Sequence, residues 1–198
     1  MRPMHTTRVS LLLRIRDPHD AGAWAEFVRL YAPVLHAYGM RHGLQDADAA
    51  DLTQDTLGNV LRAAPEFVYD PARGSFRGWL FTVARNQIRK FATRRDTLAT
   101  GTGDSNVREM LAEQPARDDE AAWEREYQLN LFRWAADRVR VEFRDATWQA
   151  FWRTAVGGEP VETVAASLGL TAGAIYIARS RVTARIRTEI ETAEGDTP

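Results

Sequence analysis

No cysteine occurs among the 198 residues of the chain. That excludes disulfides and thiolate metal sites, and it suits a reducing cytoplasm, which is the expected location. The four histidines, His5, His19, His36 and His42, fall at no metal-ligand spacing. Neither a glycine-rich phosphate loop nor a nucleophile motif occurs, so no metal and no cofactor is expected. No apolar run approaches membrane-spanning length, and the opening MRPMHTTRVS lacks the apolar core of a signal peptide. Net charge is almost lacking as well, at -1, which taken alone argues against a nucleic-acid binder.

What the chain does have is charge sorted into blocks. Over 73–95 there are seven basic residues and no acid, and over 46–55 four acids and no base. Segregation of this kind implies different partners for different blocks. Six tryptophans argue for substantial packing in a chain long enough for one sizeable core or two small ones.

The stretch 160–187, PVETVAASLGLTAGAIYIARSRVTARIR, organises the rest. Val161, Val164, Ala165 and Leu168 recur at helical spacing, and Ile175, Ala178, Val182 and Ile186 do so again. Between the two sets, Gly169 can take the positive φ that ends the first helix, and Thr171 can cap the second. Ala165 is small where two helices must approach closely. These are the parts of a helix-turn-helix. The second helix leaves Tyr176, Ile177, Arg179, Ser180, Arg181, Arg185 and Arg187 off or beside its buried stripe, with no acid over 171–187. Such a face suits phosphates and guanine edges. A helical hairpin with a solvated basic face is the plainer alternative, and the coincidence of alanine, glycine and cap favours the helix-turn-helix.

Upstream, Trp24, Phe27, Val28, Tyr31, Val34, Leu35 and Tyr38 predict a helix over 21–41 that Pro33 should kink or divide. The segment 46–64 reads as a helix with Leu52, Leu57, Val60 and Leu61 inward. Asp48, Asp51 and Asp55 share one face, with Gln54 nearby, although like charges so spaced oppose each other by about 0.2–0.5 kcal/mol per pair. The helix dipole accounts for Asp46 and Asp48. Asp51 and Asp55, farther along, point to a basic partner. After a loop over 66–75, a helix over 76–95 sets the apolar Phe76, Trp79, Leu80, Val83, Ile88 and Phe91 against Arg77, Arg85, Asn86, Arg89, Lys90, Arg94 and Arg95. Aromatics interleaved with arginine and asparagine suit melted or single-stranded nucleic acid. Trp79 and Phe91 read as core; Phe67 and Tyr69, in the loop, are the exposed stacking candidates.

From 96 to 120 glycine, threonine, serine and aspartate predict a linker. Helicity resumes over 120–141, with Trp123, Tyr127, Leu131, Trp134, Ala135 and Val139 on one stripe, and over 144–156, with Trp148, Phe151 and Trp152. The expected fold is all-α, with two small helical domains, 1–95 and 121–192, joined by a flexible linker over 96–120.

In this order the stretches resemble the bacterial extracytoplasmic-function (ECF) sigma factors of the sigma-70 family, which keep only the second and fourth conserved sigma regions. The resemblance rests on DAADLTQDTL at 48–57, FRGWLFTVARNQIRKFATRR at 76–95, and the helix-turn-helix from Val161. The WQAFWRTAVGG stretch and the long linker look like the sigma factors abundant in planctomycetes. The resemblance implies that region 2 occupies 1–95 and region 4 121–192. It implies that the acidic helix, through Asp48, Asp51, Gln54 and Asp55, docks on the β′ coiled coil of core RNA polymerase. Phe67, Tyr69, Arg77, Arg85, Asn86, Arg89, Lys90 and Arg94 would then melt and hold the minus-ten promoter element. Thr171, Tyr176, Ile177, Arg179, Ser180, Arg181 and Arg185 would read the minus-thirty-five element. The β flap of the polymerase, promoter DNA and an anti-sigma protein are the implied partners.

Two departures bear on specificity. Ala178-Arg179 reverses the family's usual order of arginine then aliphatic in the recognition helix, and the loop 66–75 diverges even among relatives, so no promoter sequence is implied. A conventional helix-turn-helix regulator binding an operator as a dimer explains the C-terminal part equally well, but not the paired acidic and basic blocks. A nuclease using Asp48, Asp51 and Asp55 would need carboxylates from several elements to hold Mg²⁺, so an enzyme is not expected.

Overall fold

The helical periods of the sequence become eight α-helices, and no strand occurs among the described residues, in a computed structural model that describes residues 7–67, 75–98 and 116–195. The chain divides into two compact units, Met1–Asn130 with Glu194–Pro198, and Leu131–Ala193. The first unit contains α1 (Val9–Arg14), α2 (Ala21–Arg41), α3 (Asp46–Ala63), α4 (Phe76–Leu98) and the first half of α5 (Ala116–Arg140). The second contains the rest of α5, α6 (Asp145–Phe151), α7 (Val161–Leu168) and α8 (Ala172–Glu194) up to Ala193. No single helix among the described residues is long and apolar enough to cross a membrane.

In the first unit α2 is the central helix. Asp20 caps it by accepting the Ala23 N–H at 2.9 Å, and Arg14 clamps the same carboxylate with two bonds of 2.8 and 2.9 Å. Phe27, Leu30, Tyr31, Val34 and Leu35 of α2 are buried with Leu52 and Val60 of α3 and with Leu80, Ala84 and Ile88 of α4. Of the two outcomes expected at Pro33, a kink or a division, division does not occur, and α2 runs on to Arg41. Proline offers no N–H to the Arg29 carbonyl, and its ring crowds that turn. The buried Asn130 amide of α5 makes good the loss, donating to the carbonyl of Arg29 at 3.2 Å and to that of Leu30 at 2.7 Å. Asn130→Ala should therefore cost about 1–3 kcal/mol by leaving the Arg29 carbonyl without a donor. Urea unfolding of the full chain checks this, and the penalty should shrink in a Pro33→Ala background, where residue 33 again supplies an N–H.

The unit boundary differs from the expected one. Residues 121–130, assigned from the sequence to the second domain, belong to the first unit. Tyr127 stacks on Tyr31 with ring centroids 5.6 Å apart, and Trp123 meets Tyr38 edge-on at 5.5 Å. The aromatic stripe of α5 thus serves two cores. Of the expected linker, residues 99–115 lie outside the described residues, and its end is already helical from Ala116.

The second unit is built on two apolar clusters. Ala135, Ala136 and Val139 of α5 pack with Trp148, Phe151, Val182 and Ile186; Ala150, Val164, Ala165, Ile175 and Ala178 form the other. A π-turn over Trp152–Val156 ends α6, closed by the Gly157 N–H on the Trp152 carbonyl at 2.8 Å. A Cβ on Gly157 would lie 2.9 Å from the Arg153 carbonyl oxygen, so this turn requires glycine. Gly169 ends α7 with φ of 64°, and the Leu170 N–H returns to the Ala165 carbonyl at 2.9 Å. Thr171 Oγ1 accepts the Ala174 N–H at 3.2 Å and so caps α8. Turn and cap are those expected of the helix-turn-helix. Arg153 fastens this hairpin, with Nε on Glu159 at 2.8 Å and Nη1 on Ser167 Oγ at 2.7 Å.

Candidate nucleic-acid interface

Burial of Leu52, Thr53, Thr56 and Val60 turns the opposite side of α3 outward. Asp51, Gln54 and Asp55 are exposed there, and Asp48 is half-buried. His36 Nε2 lies 3.1 Å from Asp46. Asp48, Asp51 and Asp55 present negative charge without an ion pair among the described residues.

On α4, Phe76, Leu80, Ala84 and Ile88 recur every fourth residue and face the core, which leaves Asn86, Arg89 and Lys90 exposed and Arg85 half-buried. Tyr69 lies outside the described residues, as does the side chain of Arg94, whose backbone continues α4. Phe67 is half-buried instead of exposed, because it packs edge-on to Phe76 at 5.6 Å and against Trp79 at 5.1 Å. Trp79 is half-buried in the same cluster, so this end of α4 carries an apolar, aromatic surface next to a cationic one.

Arg77 is not at the surface and is corrected from the DNA-facing set. It is 3% exposed, with Nη2 at 3.2 Å from Glu124, Nη1 at 3.2 Å from Glu194, and its guanidinium 4.4 Å from the Tyr127 ring centroid. Its position beside Phe76 at the start of α4 gave no sign of this, since its partners lie 47 or more residues away in sequence, at Glu124 and beyond. A second buried polar group was also missed. His42 Nε2 lies 3.1 Å from Asp119 Oδ1, and the Tyr38 hydroxyl donates to Asp119 Oδ2 at 3.2 Å. Burial lowers the His42 pKa from 6.5, against the pull of Asp119. The unfolded chain therefore binds the extra proton first, so stability is full above pH 6.5 and falls as the pH drops below it. The urea midpoint of the first unit should decline between pH 7 and 5.5, and His42→Gln should flatten that slope.

In the second unit the inward set Ile175, Ala178, Val182 and Ile186 orients α8. Thr171, Tyr176, Ile177, Ser180 and Arg181 are exposed; Arg179 is half-buried, its guanidinium 5.9 Å from the Tyr176 ring. Arg185 is half-buried and already paired within the unit. Its Nε and Nη2 meet Glu142 at 2.7 and 2.6 Å, and its Nη1 meets Glu189 at 3.0 Å. Those bonds hold its pKa above the ordinary value. The acid-free window 171–187 concealed the pairing because both acids lie outside it. Among the described residues no group of His, Asp or Glu could hold a metal ion.

Residues 27–97 match the sigma-70 region 2 family. The ECF RNA polymerase sigma factor RpoE of Cereibacter sphaeroides is 35% identical over 82 residues, which is 41% of this chain and 44% of that protein. The match thus spans less than half the length of this curated relative. Among solved structures, that of CnrH in complex with the cytosolic domain of CnrY aligns over 92% of this chain and 96% of its own, at 20% identity and a TM-score of 0.30.

Proposed function

We propose that this chain is an ECF sigma factor of the sigma-70 family, which binds core RNA polymerase, brings it to particular promoters and helps open the DNA. The observation that carries the reading is the exposed acidic face of α3 next in sequence to the basic face of α4, both inside the region 2 match. In this proposal residues 1–95 act as region 2 and the helix-turn-helix module within 121–192 as region 4. Asp51, Gln54 and Asp55, with Asp48 at their edge, meet the arginines of the β′ coiled coil. Asn86, Arg89 and Lys90, with Arg85 partly exposed beside them, hold the backbone and base edges of the opened minus-ten strand. On α8, Thr171, Tyr176, Ile177, Arg179, Ser180 and Arg181 face the major groove of the minus-thirty-five element. The work is binding and positioning next to the cytoplasmic polymerase, with no catalytic step of its own.

Gel filtration of the purified chain with core RNA polymerase tests the reading. Co-elution at one copy per core is expected. A dimer that ignores an active core and binds a palindromic operator would replace the proposal with a conventional regulator.

A further inference from the structure

The reading of α8 as a recognition helix does not say which chemical feature of the bases it meets. We propose that α8 recognises thymine by its C5-methyl group, with Ile177 as the main contact and Tyr176 beside it. The inference rests on the helix-turn-helix function proposed above and adds the chemistry of its specificity.

With Ile175, Ala178, Val182 and Ile186 inward, the line of α8 farthest from the core runs through Gly173, Ile177, Ser180 and Ala184, all exposed. Three of these four side chains are no larger than serine, so the helix backbone can come close to base edges. Over 173–184 Ile177 is the long side chain on that line and is 62% exposed, with Glu191 on the line two turns beyond Ala184, and its neighbour Tyr176 is 57% exposed. The cations stand to the sides. At 3.6 residues per turn Arg181 lies about 70° from this line on one flank and Tyr176 about 70° on the other, and Arg187 shares the Tyr176 flank about 16 Å farther along the axis. Arg185 is held by Glu142 and Glu189. The deepest part of the helix in a groove is therefore apolar, with Arg181 on one flank and Arg187 farther along the other.

Charge selects the occupant. An apolar ridge flanked by these arginines, with no acid over 171–187, fits a polyanion with a greasy floor better than it fits an apolar protein surface. In the major groove of ordinary DNA the apolar group is the thymine methyl; guanine, adenine and cytosine offer hydrogen-bonding atoms that isoleucine cannot use.

The experiment uses the full chain bound to core RNA polymerase. Preferred DNA is selected from a library randomised over the upstream element, and each thymine of the selected sequence is then replaced by uracil, which lacks only the methyl. At one or two positions uracil should weaken binding about threefold to tenfold, the worth of burying a methyl group or two. Ile177→Ala should weaken thymine DNA by a similar factor and abolish the difference between thymine and uracil; Ile177→Val should keep part of it. Residue 177 is exposed, so circular dichroism of both variants should be unchanged. Uracil tolerated at every position, or a thymine preference that persists in Ile177→Ala, would overturn the inference while leaving the recognition helix in place. Selection of no preferred sequence would remove the helix-turn-helix reading itself and this inference with it.

Discussion

Replacing Asp51 and Asp55 together by lysine should abolish co-elution with core RNA polymerase while leaving helical circular dichroism and the unfolding midpoint unchanged. Both carboxylates are exposed on α3 and form no ion pair among the described residues, so the folded chain loses no partner when they go. Lysine is also the better helix former. At the polymerase, two attractive contacts with arginine become repulsive, and like-charge juxtaposition costs several kcal/mol, so a loss of about a thousandfold in affinity is expected. Titration of the double variant against labelled core measures it. A variant that unfolds early instead would make the acidic face structural, and one that still binds at wild-type affinity would take the face out of the interface.

Arg77→Ala should destabilise the first unit by about 3–5 kcal/mol, because removing the cation of a buried ion pair strips Glu194 of its opposite charge and leaves a buried void. Glu194, with only 6% of its side chain exposed, would lose the cation 3.2 Å away, and the Tyr127 ring would lose the guanidinium stacked over it. Against a total stability of roughly 5–15 kcal/mol, such a loss is large. Arg77→Met restores some bulk without the charge and should recover only a minor part. Urea unfolding separates this role from the one suggested by the sequence. A DNA contact would leave stability intact and weaken promoter binding; the buried pair predicts the reverse order of effects.

These two residue sets show what the sequence made legible. Helical period gave the main faces of α2, α3, α4 and α8, with Val28 and Leu61 exposed against expectation, and the Gly169 and Thr171 chemistry gave the turn between α7 and α8. Asp51 and Asp55 could be read as outward because Leu52 and Val60 had to be inward, although Leu61, read as inward too, is 41% exposed and Thr56 is buried in its stead. What period does not contain is the identity of the surface opposite. The stripe of α5 was plain, yet nothing local tells Trp123 and Tyr127 to join α2 while Ala135 and Val139 join α8. Charge windows fail for the same reason. Arg77 and Arg185 look free within their own segments, and their compensating glutamates come from elsewhere in the chain. Phe67 was misread in a similar way, since a loop position does not reveal that Phe76 and Trp79 will cover half of the ring.

The bond from Asn130 to the carbonyls beside Pro33 also sets an order of events on the ribosome. Its donor is encoded 100 residues after the Leu30 acceptor. At about 5–20 residues per second of synthesis, α2 exists for about 5–20 s with its middle turn open before the side chain that closes it has even been made. A nascent chain therefore emerges with its central helix incomplete. The first unit reaches its final form only after the whole second unit has been translated, because Glu194, which pairs with Arg77, is encoded beyond it.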